Sequence, residues 1–324
     1  MLLHASRVRN ASIEGVPFKL LRFGGLAVKT VRTERLDIAF EDGGPPDGTP
    51  VLLLHGWPDA PRGWARVASG LHQKGWRTIT PYLRGSGPTR FLSADTPRVG
   101  PGVALAQDAI DLADALGLQR FAVVGHDWGA RATYTMAALF PERITSIATL
   151  SVSFQPATVP KAPSFEQARR FWYQWFQCTD QGAAKVKEDP IGFARIQWDT
   201  WSPPDWFEEA EFVKTAESFS NPDWARVTLS YYRSRWMRGE ESEPTYDELQ
   251  EKFNGVQVLS TPTLMIQGGD DRCVAAKETE GQESRFSAGY ERVLLDGVGH
   301  FPQREAPAEV TAAVLRHLNE TRSR

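Results

Sequence analysis

The chain has 324 residues, of which 41% are hydrophobic, and a formal net charge of −3. This composition is typical of a soluble globular protein with a large core and an accessory subdomain. The 37 basic and 40 acidic residues leave no basic excess for a phosphate backbone, which argues against a nucleic-acid partner. No apolar run reaches the roughly 18 residues of a membrane helix, and residues 1–10 lack the apolar stretch of a secretory signal. Cys178 and Cys273 are too few for a disulfide framework, so we expect a cytoplasmic protein.

Short apolar runs alternate with helical patterns along most of the chain. Residues 1–30 match no pattern, and an arm, a tail and a homodimer contact all remain open for them. Strands buried on both faces are predicted for the apolar runs 51–54, 121–124, 144–150, 263–266 and 293–295. Residues 105–116 and 310–318 carry apolar side chains at helical spacing. The alternation predicts an α/β fold, with a mostly parallel sheet covered by helices.

The first predicted strand is followed by His55, Gly56, Trp57 and Pro58. Glycine and proline so close together indicate a turn. Taken alone this segment predicts nothing more, and its interest depends on the residues that the fold brings next to it.

The run 121–124 is followed by Gly125-His126-Asp127-Trp128-Gly129 and then by a helical pattern. This is the spacing of a nucleophile elbow, with Asp127 where serine is more usual. A carboxylate is already ionised at neutral pH, and its attack on a saturated carbon gives a stable ester, so the residue type favours displacement at carbon over ordinary esterase chemistry. The competing interpretation is an aspartate that caps a helix.

Between residues 156 and 251 the strand-like runs disappear, and an aromatic helical pattern replaces them. Seven of the eleven tryptophans lie in this segment: Trp172, Trp175, Trp198, Trp201, Trp206, Trp224 and Trp236. One interpretation is a helical subdomain whose core consists of large rings. The other, which we favour, is a lid whose underside forms an apolar ligand pocket.

Two further polar segments follow predicted strands near the end of the chain. Asp270 and Asp271 come after the run 263–266, and His300 comes after the run 293–295. Binding sites of open α/β sheets gather beyond the carboxyl ends of strands. The order nucleophile, acid, histidine is that of an α/β-hydrolase triad, in which the histidine acts as base and the acid orients it. Both aspartates are candidates for the acid.

That arrangement also gives a role to the turn at His55. In such a fold, the loop after the early strand and the residue after the nucleophile each supply one N–H group to an oxyanion hole. The donors would be the backbone N–H groups of Trp57 and Trp128.

Three motifs together support a family resemblance: His55-Gly56-Trp57-Pro58, Gly125-His126-Asp127-Trp128-Gly129 and Gly299-His300-Phe301. They resemble those of the α/β-hydrolase-fold epoxide hydrolases, and the resemblance extends over residues 32–318. It implies a mostly parallel central sheet flanked by helices, with an inserted helical cap. The implied division is an unassigned N-terminal arm at 1–30, a core at 31–155 and 252–324, and a cap at 156–251. Family spacing from Gly268 favours Asp271 over Asp270 as the triad acid.

The resemblance also implies two cap tyrosines that donate hydrogen bonds to the epoxide oxygen. Phe171-Trp172-Tyr173-Gln174 matches the first tyrosine motif of the family, which points to Tyr173. In the second motif the tyrosine directly precedes an arginine, which points to Tyr232 and not to Tyr231. Substrate contacts are expected from His55, Pro58, Trp172 and Trp175. Arg131, one helical turn beyond the nucleophile, is interpreted as a structural ion-pair partner.

The resemblance therefore predicts hydrolysis of an apolar epoxide to a diol through an ester on Asp127, with no cofactor and no metal. A haloalkane or haloacid dehalogenase with the same nucleophile is the alternative. Fluoroacetate dehalogenases carry arginine directly after the nucleophile and again three residues later; here Trp128 replaces the first, and Arg131 matches the second. A non-catalytic ligand-binding protein on this scaffold is the remaining alternative, and it predicts a broken triad.

Overall fold

The computed structural model describes residues 21–23, 26–157, 162–237 and 240–322. Most of the N-terminal segment 1–30 lies outside these residues. Within the described ranges, no helix has the length and apolar character needed to cross a bilayer.

The centre of the fold is a twisted sheet in which ten strands are described. The strands are β1 (Leu21–Phe23), β2 (Leu26–Arg32), β3 (Leu36–Gly43), β4 (Thr49–Leu54), β5 (Trp76–Pro81), β6 (Arg90–Phe91), β7 (Phe121–His126), β8 (Ile144–Leu150), β9 (Thr263–Gly268) and β10 (Tyr290–Leu295). Their order is β1-β2-β3-β5-β4-β7-β8-β9-β10, and β6 pairs with β3. From β5 to β10 all neighbours are parallel, whereas β1, β2, β3 and β6 pair antiparallel. The predicted mostly parallel sheet and all five predicted strands are confirmed.

One of those strands differs from expectation in its burial. The run 293–295 is apolar, yet it lies in β10 at the edge of the sheet, where Leu294 is 45% exposed. A short apolar run does not distinguish a central strand from an edge strand, because both carry similar residues when one face is covered.

Helices cover both faces of the sheet and bury alternate residues of its strands. The core helices are α1 (Ala65–His72), α2 (Gly102–Ala115), α3 (Trp128–Leu139), α11 (Pro302–Glu305) and α12 (Pro307–Arg322). Leu52 and Leu54 pack in one apolar cluster with α2 and α3, while Val51 and Leu53 pack in another with α1 and α12. Successive strand residues point to opposite faces, so a continuous apolar run supplies both clusters.

A helical segment is inserted between β8 and β9, which are neighbours in the sheet. Its helices are α4 (Phe165–Arg170), α5 (Trp172–Gln177), α6 (Asp180–Glu188), α7 (Pro190–Thr200), α8 (Glu209–Ala216), α9 (Trp224–Trp236) and α10 (Pro244–Asn254). Side chains of Ser164, Thr179 and Asp189 cap α4, α6 and α7 by accepting backbone N–H groups. We call this inserted segment the cap. The predicted boundary at 251 falls within α10, and the division into domains stays a prediction.

A buried ion pair ties the cap to the core. Arg84, which follows β5, donates two hydrogen bonds of 2.7 Å to Asp108 on α2. The same guanidinium donates at 2.7 Å to the hydroxyl of Tyr246 on α10. Because a buried charge is tolerated only when it is paired and hydrogen-bonded, this contact fixes where α10 lies on the core.

Candidate active site

Asp127 lies at a sharp turn between β7 and α3. Its φ of 50° is rare for a residue with a side chain and indicates a strained backbone held by its surroundings. Both flanking glycines are required by close packing: a Cβ on Gly125 would lie 2.3 Å from the Gly129 carbonyl oxygen, and one on Gly129 would lie 2.2 Å from that of Leu54. The turn therefore presents Asp127 at the carboxyl edge of the sheet.

The carboxylate of Asp127 is buried and oriented by the backbone. Its Oδ1 accepts a 2.9 Å hydrogen bond from the N–H of Trp57. Burial alone would raise the pKa of Asp127, but the nearby positive charge of His300 outweighs it and lowers that pKa below its usual value. Asp127 is thus ionised at neutral pH, and Oδ2 remains available for chemistry.

Asp271 and His300 form the contact expected of an acid and a base. His300 Nδ1 lies 2.8 Å from Asp271 Oδ2. Asp271 Oδ1 accepts the backbone N–H groups of Cys273 and Val274, at 2.7 and 2.8 Å. Asp270, the rival in the sequence, is exposed. The geometry therefore places Asp271, and not Asp270, against the histidine.

His300 lies between the two carboxylates. Its Nε2 is 3.7 Å from Asp127 Oδ2 and makes no hydrogen bond within the described residues. Burial alone would lower the pKa of His300, but the negative charges of Asp271 and Asp127 raise it to about 10. With Asp127 ionised, His300 is therefore a cation at neutral pH.

Ser202 and Glu305 hold the histidine loop, and sequence reasoning missed both. Ser202 Oγ accepts the backbone N–H of His300 at 3.0 Å and donates to Glu305 at 2.7 Å. Glu305 also accepts the N–H groups of Gly299 and Phe301, at 2.6 and 2.9 Å. A single serine in the cap and a glutamate on a short helix carry no spacing that would have identified them.

Tyr173 on α5 and Tyr232 on α9 come together beneath the cap. Their ring centroids are 5.2 Å apart, and both rings also contact the indole of Trp57. Burial, reinforced by the negative charge of Asp127, raises the pKa of both phenols well above 10, so both stay protonated. Tyr231, the neighbour that the motif rejects, instead stacks on Trp128 at 4.5 Å.

The two phenols differ in their hydrogen bonds. Tyr173 accepts a 2.9 Å hydrogen bond from Nε2 of Gln174, while Trp236 donates to Oε1 of the same amide. An indole N–H can only donate, so Trp236 sets the orientation of the amide, and the Tyr173 hydrogen is not used by Gln174. The Tyr173 oxygen also lies 3.5 Å from Cys273 Sγ, where either atom could be the donor. The hydroxyl of Tyr232 is buried without a hydrogen-bond partner of normal geometry among the described residues. Gln174 and Trp236 are further residues that the sequence did not single out for this role.

The predicted oxyanion donors lie on either side of Asp127. The N–H of Trp57 already points at its carboxylate. Trp128 is the first residue of α3, where backbone N–H groups have no acceptor within the helix. Both donors are thus next to the carboxyl group on which a tetrahedral oxyanion would form.

The other residues predicted to contact substrate are placed less directly. Both ring nitrogens of His55 are engaged by backbone groups, at Gly56 and Leu83. The carbonyl of Pro58 accepts the indole N–H of Trp198. Trp172 is 39% exposed, and the ring of Trp175 packs on Trp236 at 4.4 Å. Their contacts with substrate stay predictions.

A cavity of about 240 Å³ lies between α3 and the cap. Trp128 and Arg131 form part of its wall, whereas Asp127, Tyr173 and Tyr232 do not line it. The sequence predicts an ion-pair partner for Arg131, but its guanidinium has none within the described residues and instead lies over the Trp128 ring at 5.3 Å. Among the described residues, no group of three or more His, Cys, Asp or Glu side chains is placed so that it could hold a metal ion.

Comparison with known proteins identifies the family to which the chain belongs. The family model of the α/β hydrolase fold matches residues 49–307. Epoxide hydrolase A of Mycobacterium tuberculosis is 28% identical over 91% of this chain and 98% of its own. A crystal structure from Klebsiella pneumoniae, of a protein assigned as an epoxide hydrolase, superposes with a TM-score of 0.84 at 36% identity. It covers 90% of this chain and 96% of that protein.

A more distant structure adds only the fold. Potato epoxide hydrolase I is 22% identical, covers 90% of this chain and 99% of its own, and has a TM-score of 0.74. The resemblance to epoxide hydrolases expected from the three motifs is confirmed, and the chain belongs to the α/β hydrolase fold family.

Proposed function

We propose that the chain is an epoxide hydrolase that forms a covalent ester on Asp127. The observation that carries the proposal is the pairing of an ionised, buried carboxylate with two protonated tyrosines under the cap. Oδ2 of Asp127 attacks one epoxide carbon, and the bond from that carbon to the ring oxygen breaks. Tyr173 and Tyr232 donate hydrogen bonds to the oxygen as it becomes an alkoxide. The alkoxide then takes a proton from solvent, and the product of this step is a hydroxyalkyl ester.

The second step hydrolyses that ester. Esterification removes the negative charge of Asp127, which is one of the causes that raise the pKa of His300. His300 then releases its proton to solvent, which balances the proton taken up by the alkoxide. It can now accept a proton from the attacking water through Nε2, while Asp271 stabilises the imidazolium. The water oxygen attacks the Asp127 carbonyl, and the N–H groups of Trp57 and Trp128 stabilise the oxyanion. Collapse of the intermediate breaks the ester C–O bond, releases the diol and restores Asp127.

The aromatic residues around the tyrosines favour an apolar group next to the epoxide ring. The rings of Trp57 and Trp201 contact Tyr173, and Phe193 contacts Trp57; all three are buried. The residues of this mechanism need no cofactor. A cytoplasmic location and a homodimer remain predictions from the sequence.

The test is accumulation of the ester in a variant that cannot hydrolyse it. Purified His300→Gln is incubated with a panel of epoxides and haloalkanes, and its intact mass is recorded. We expect an adduct equal to the whole epoxide. The matched control, His300→Gln combined with Asp127→Asn, should remain unmodified.

Two outcomes contradict the proposal. An adduct formed only from a haloalkane, lighter by the halide, identifies a dehalogenase. An adduct that survives Asp127→Asn places the nucleophile elsewhere.

A further inference from the structure

The cavity between α3 and the cap contains two positively charged side chains without a counterion. Arg131 on α3 and Arg235 on α9 both line it, and both are half-buried. Neither guanidinium forms a hydrogen bond or an ion pair within the described residues. Their described contacts are with aromatic faces: Arg131 lies over Trp128 at 5.3 Å and Arg235 over Trp236 at 5.7 Å.

No other arginine with a described side chain is in this situation. Those without a hydrogen bond or ion pair, such as Arg169, are exposed to solvent. Half-buried arginines elsewhere have carboxylate or carbonyl partners, as Arg98 has with Asp223 at 3.0 Å. Burying an unpaired charge is unfavourable, so two such residues in one cavity need an explanation.

The acidic residues that line the same cavity do not act as counterions of Arg131 and Arg235. Glu240 pairs with Arg233 at 3.2 Å, Glu241 with Arg226 at 3.5 Å, and Glu243 with Arg35 at 2.8 Å. Asp247, the remaining acidic residue of the lining, is exposed on α10.

The pKa of Arg235 agrees with a guanidinium charge that has no counterion. Burial and the positive charge of Arg131 together lower the pKa of Arg235 to about 9. Burial likewise lowers the pKa of Arg131, against the opposing negative charge of Asp127. An anion in the cavity would reverse both effects.

We propose that Arg131 and Arg235 form a carboxylate-binding subsite, and that the substrate is an epoxide carrying a carboxylate at the end remote from the ring that Asp127 opens. This inference rests on the proposed function and specifies the substrate class. A guanidinium presents a planar fork of N–H donors that fits a carboxylate in two hydrogen bonds. The cavity volume of about 240 Å³ accommodates a short chain ending in such a group.

The subsite lies within reach of the reaction. Arg131 is one turn along α3 from Asp127, so their Cα atoms are about 6 Å apart along the helix axis. The Trp128 indole forms part of the cavity wall and contacts the ring of Tyr232 at 5.5 Å. A substrate chain passing Trp128 would place its carboxylate at the arginines and its epoxide at the tyrosines.

The first experiment compares matched substrates. Terminal epoxides of increasing chain length are prepared as carboxylates and as the isosteric primary amides, and their turnover is measured with the wild-type enzyme and with Arg235→Gln. We expect the wild-type enzyme to prefer the carboxylate. In Arg235→Gln the KM for the carboxylate should rise about 10- to 100-fold, the range for loss of charge-assisted hydrogen bonds, while the amide is unaffected. Arg235→Lys should restore part of the preference.

Matched controls separate this role from a structural one. Arg169→Gln removes an exposed, unpaired arginine of the cap and should change neither KM. Because Arg235 lacks a partner, Arg235→Gln should leave the thermal unfolding temperature unchanged or raise it. A structural arginine would lower it.

Binding without catalysis keeps the two proposals distinct. Calorimetric titration with hexanoate should show binding to the wild-type protein and at least tenfold weaker binding to Arg235→Gln. If no epoxide is opened but hexanoate binds in this way, the proposed function fails and the subsite stands. If epoxides are opened, with carboxylate and amide treated alike and with no hexanoate binding, the subsite is overturned and the proposed function stands.

Discussion

The core side and the cap side of this site handle polar groups in opposite ways. On the core side, Asp127 and Asp271 accept backbone N–H groups, and the histidine loop is held by Glu305. On the cap side, the hydroxyl of Tyr232 is buried among aromatic rings, and the guanidinium of Arg235 is half-buried beside the ring of Trp236. Neither has a hydrogen-bond partner of normal geometry among the described residues.

The difference indicates a division of labour. Groups that must keep a fixed geometry through both chemical steps are satisfied by the protein itself. Groups left unsatisfied are unfavourable in the free protein, and a ligand that supplies the missing partner gains that free energy on binding. The core side therefore sets the reaction, and the cap side sets what reacts.

The largest expected effect comes from Asp271→Asn, which disturbs the hydrogen bonds of the core side of the site. In Asp271→Asn the amide NH₂ would face either the donors of Cys273 and Val274 or those of Gln267 and His300. The latter arrangement favours the His300 tautomer that carries hydrogen on Nε2, which cannot accept a proton from water. We expect kcat to fall about 10⁴-fold, with the ester accumulating in intact-mass spectra.

The neighbouring residue provides the control for that variant. Asp270→Asn alters an exposed carboxylate and should leave kcat within about twofold of the wild-type value, as other surface substitutions do. Equal losses in the two variants would contradict the role of Asp271.

An intermediate effect is expected on the cap side, at the hydroxyl of Tyr232. Tyr232→Phe removes a donor to the opening epoxide, so the rate of ester formation should fall about 10²-fold. The same change removes a buried hydroxyl without a partner, so the free energy of unfolding should rise by about 1–3 kcal/mol. Stopped-flow kinetics and urea unfolding measure the two quantities.

Two further variants, Tyr173→Phe and Tyr231→Phe, serve as comparisons for Tyr232→Phe. The former should slow ester formation without the gain in stability, because the Tyr173 hydroxyl accepts a hydrogen bond from Gln174. The latter should leave the rate nearly unchanged. A loss of stability in Tyr232→Phe would show that its hydroxyl is satisfied.

The smallest expected effect concerns the pKa of His300, which depends on the negative charge of Asp127. The pKa of His300 is raised to about 10, above the value of about 6.5 for an unfolded chain. Its contribution to stability is therefore fully present below about pH 6.5 and is lost as the pH rises through about 10. In Asp127→Asn one source of the shift disappears, so the pKa of His300 should fall and this window should narrow.

NMR titration of the His300 imidazole measures that pKa, and urea unfolding across the same pH range measures the stability. His317, whose pKa is lowered chiefly by burial, should titrate alike in both proteins and serves as the internal reference. A His300 pKa that does not change in Asp127→Asn would contradict the coupling on which the second step depends.

The sequence alone determined the strands and the residues that follow them. Runs such as 51–54 and 121–124 are apolar because both faces of a parallel strand are buried, and glycines mark the turn at Asp127 because only they tolerate its close packing. These are local requirements, so they leave local patterns. The motifs around Asp127 and His300 were readable for the same reason.

Only the tertiary structure decided which groups have partners. It put Ser202 behind the histidine loop and left Arg131 without the ion pair that the sequence predicts. Both depend on residues that are distant in the sequence, such as Ser202 of the cap and the histidine loop of the core. A contact formed by packing has no fixed spacing along the chain, so its presence or absence becomes visible only in three dimensions.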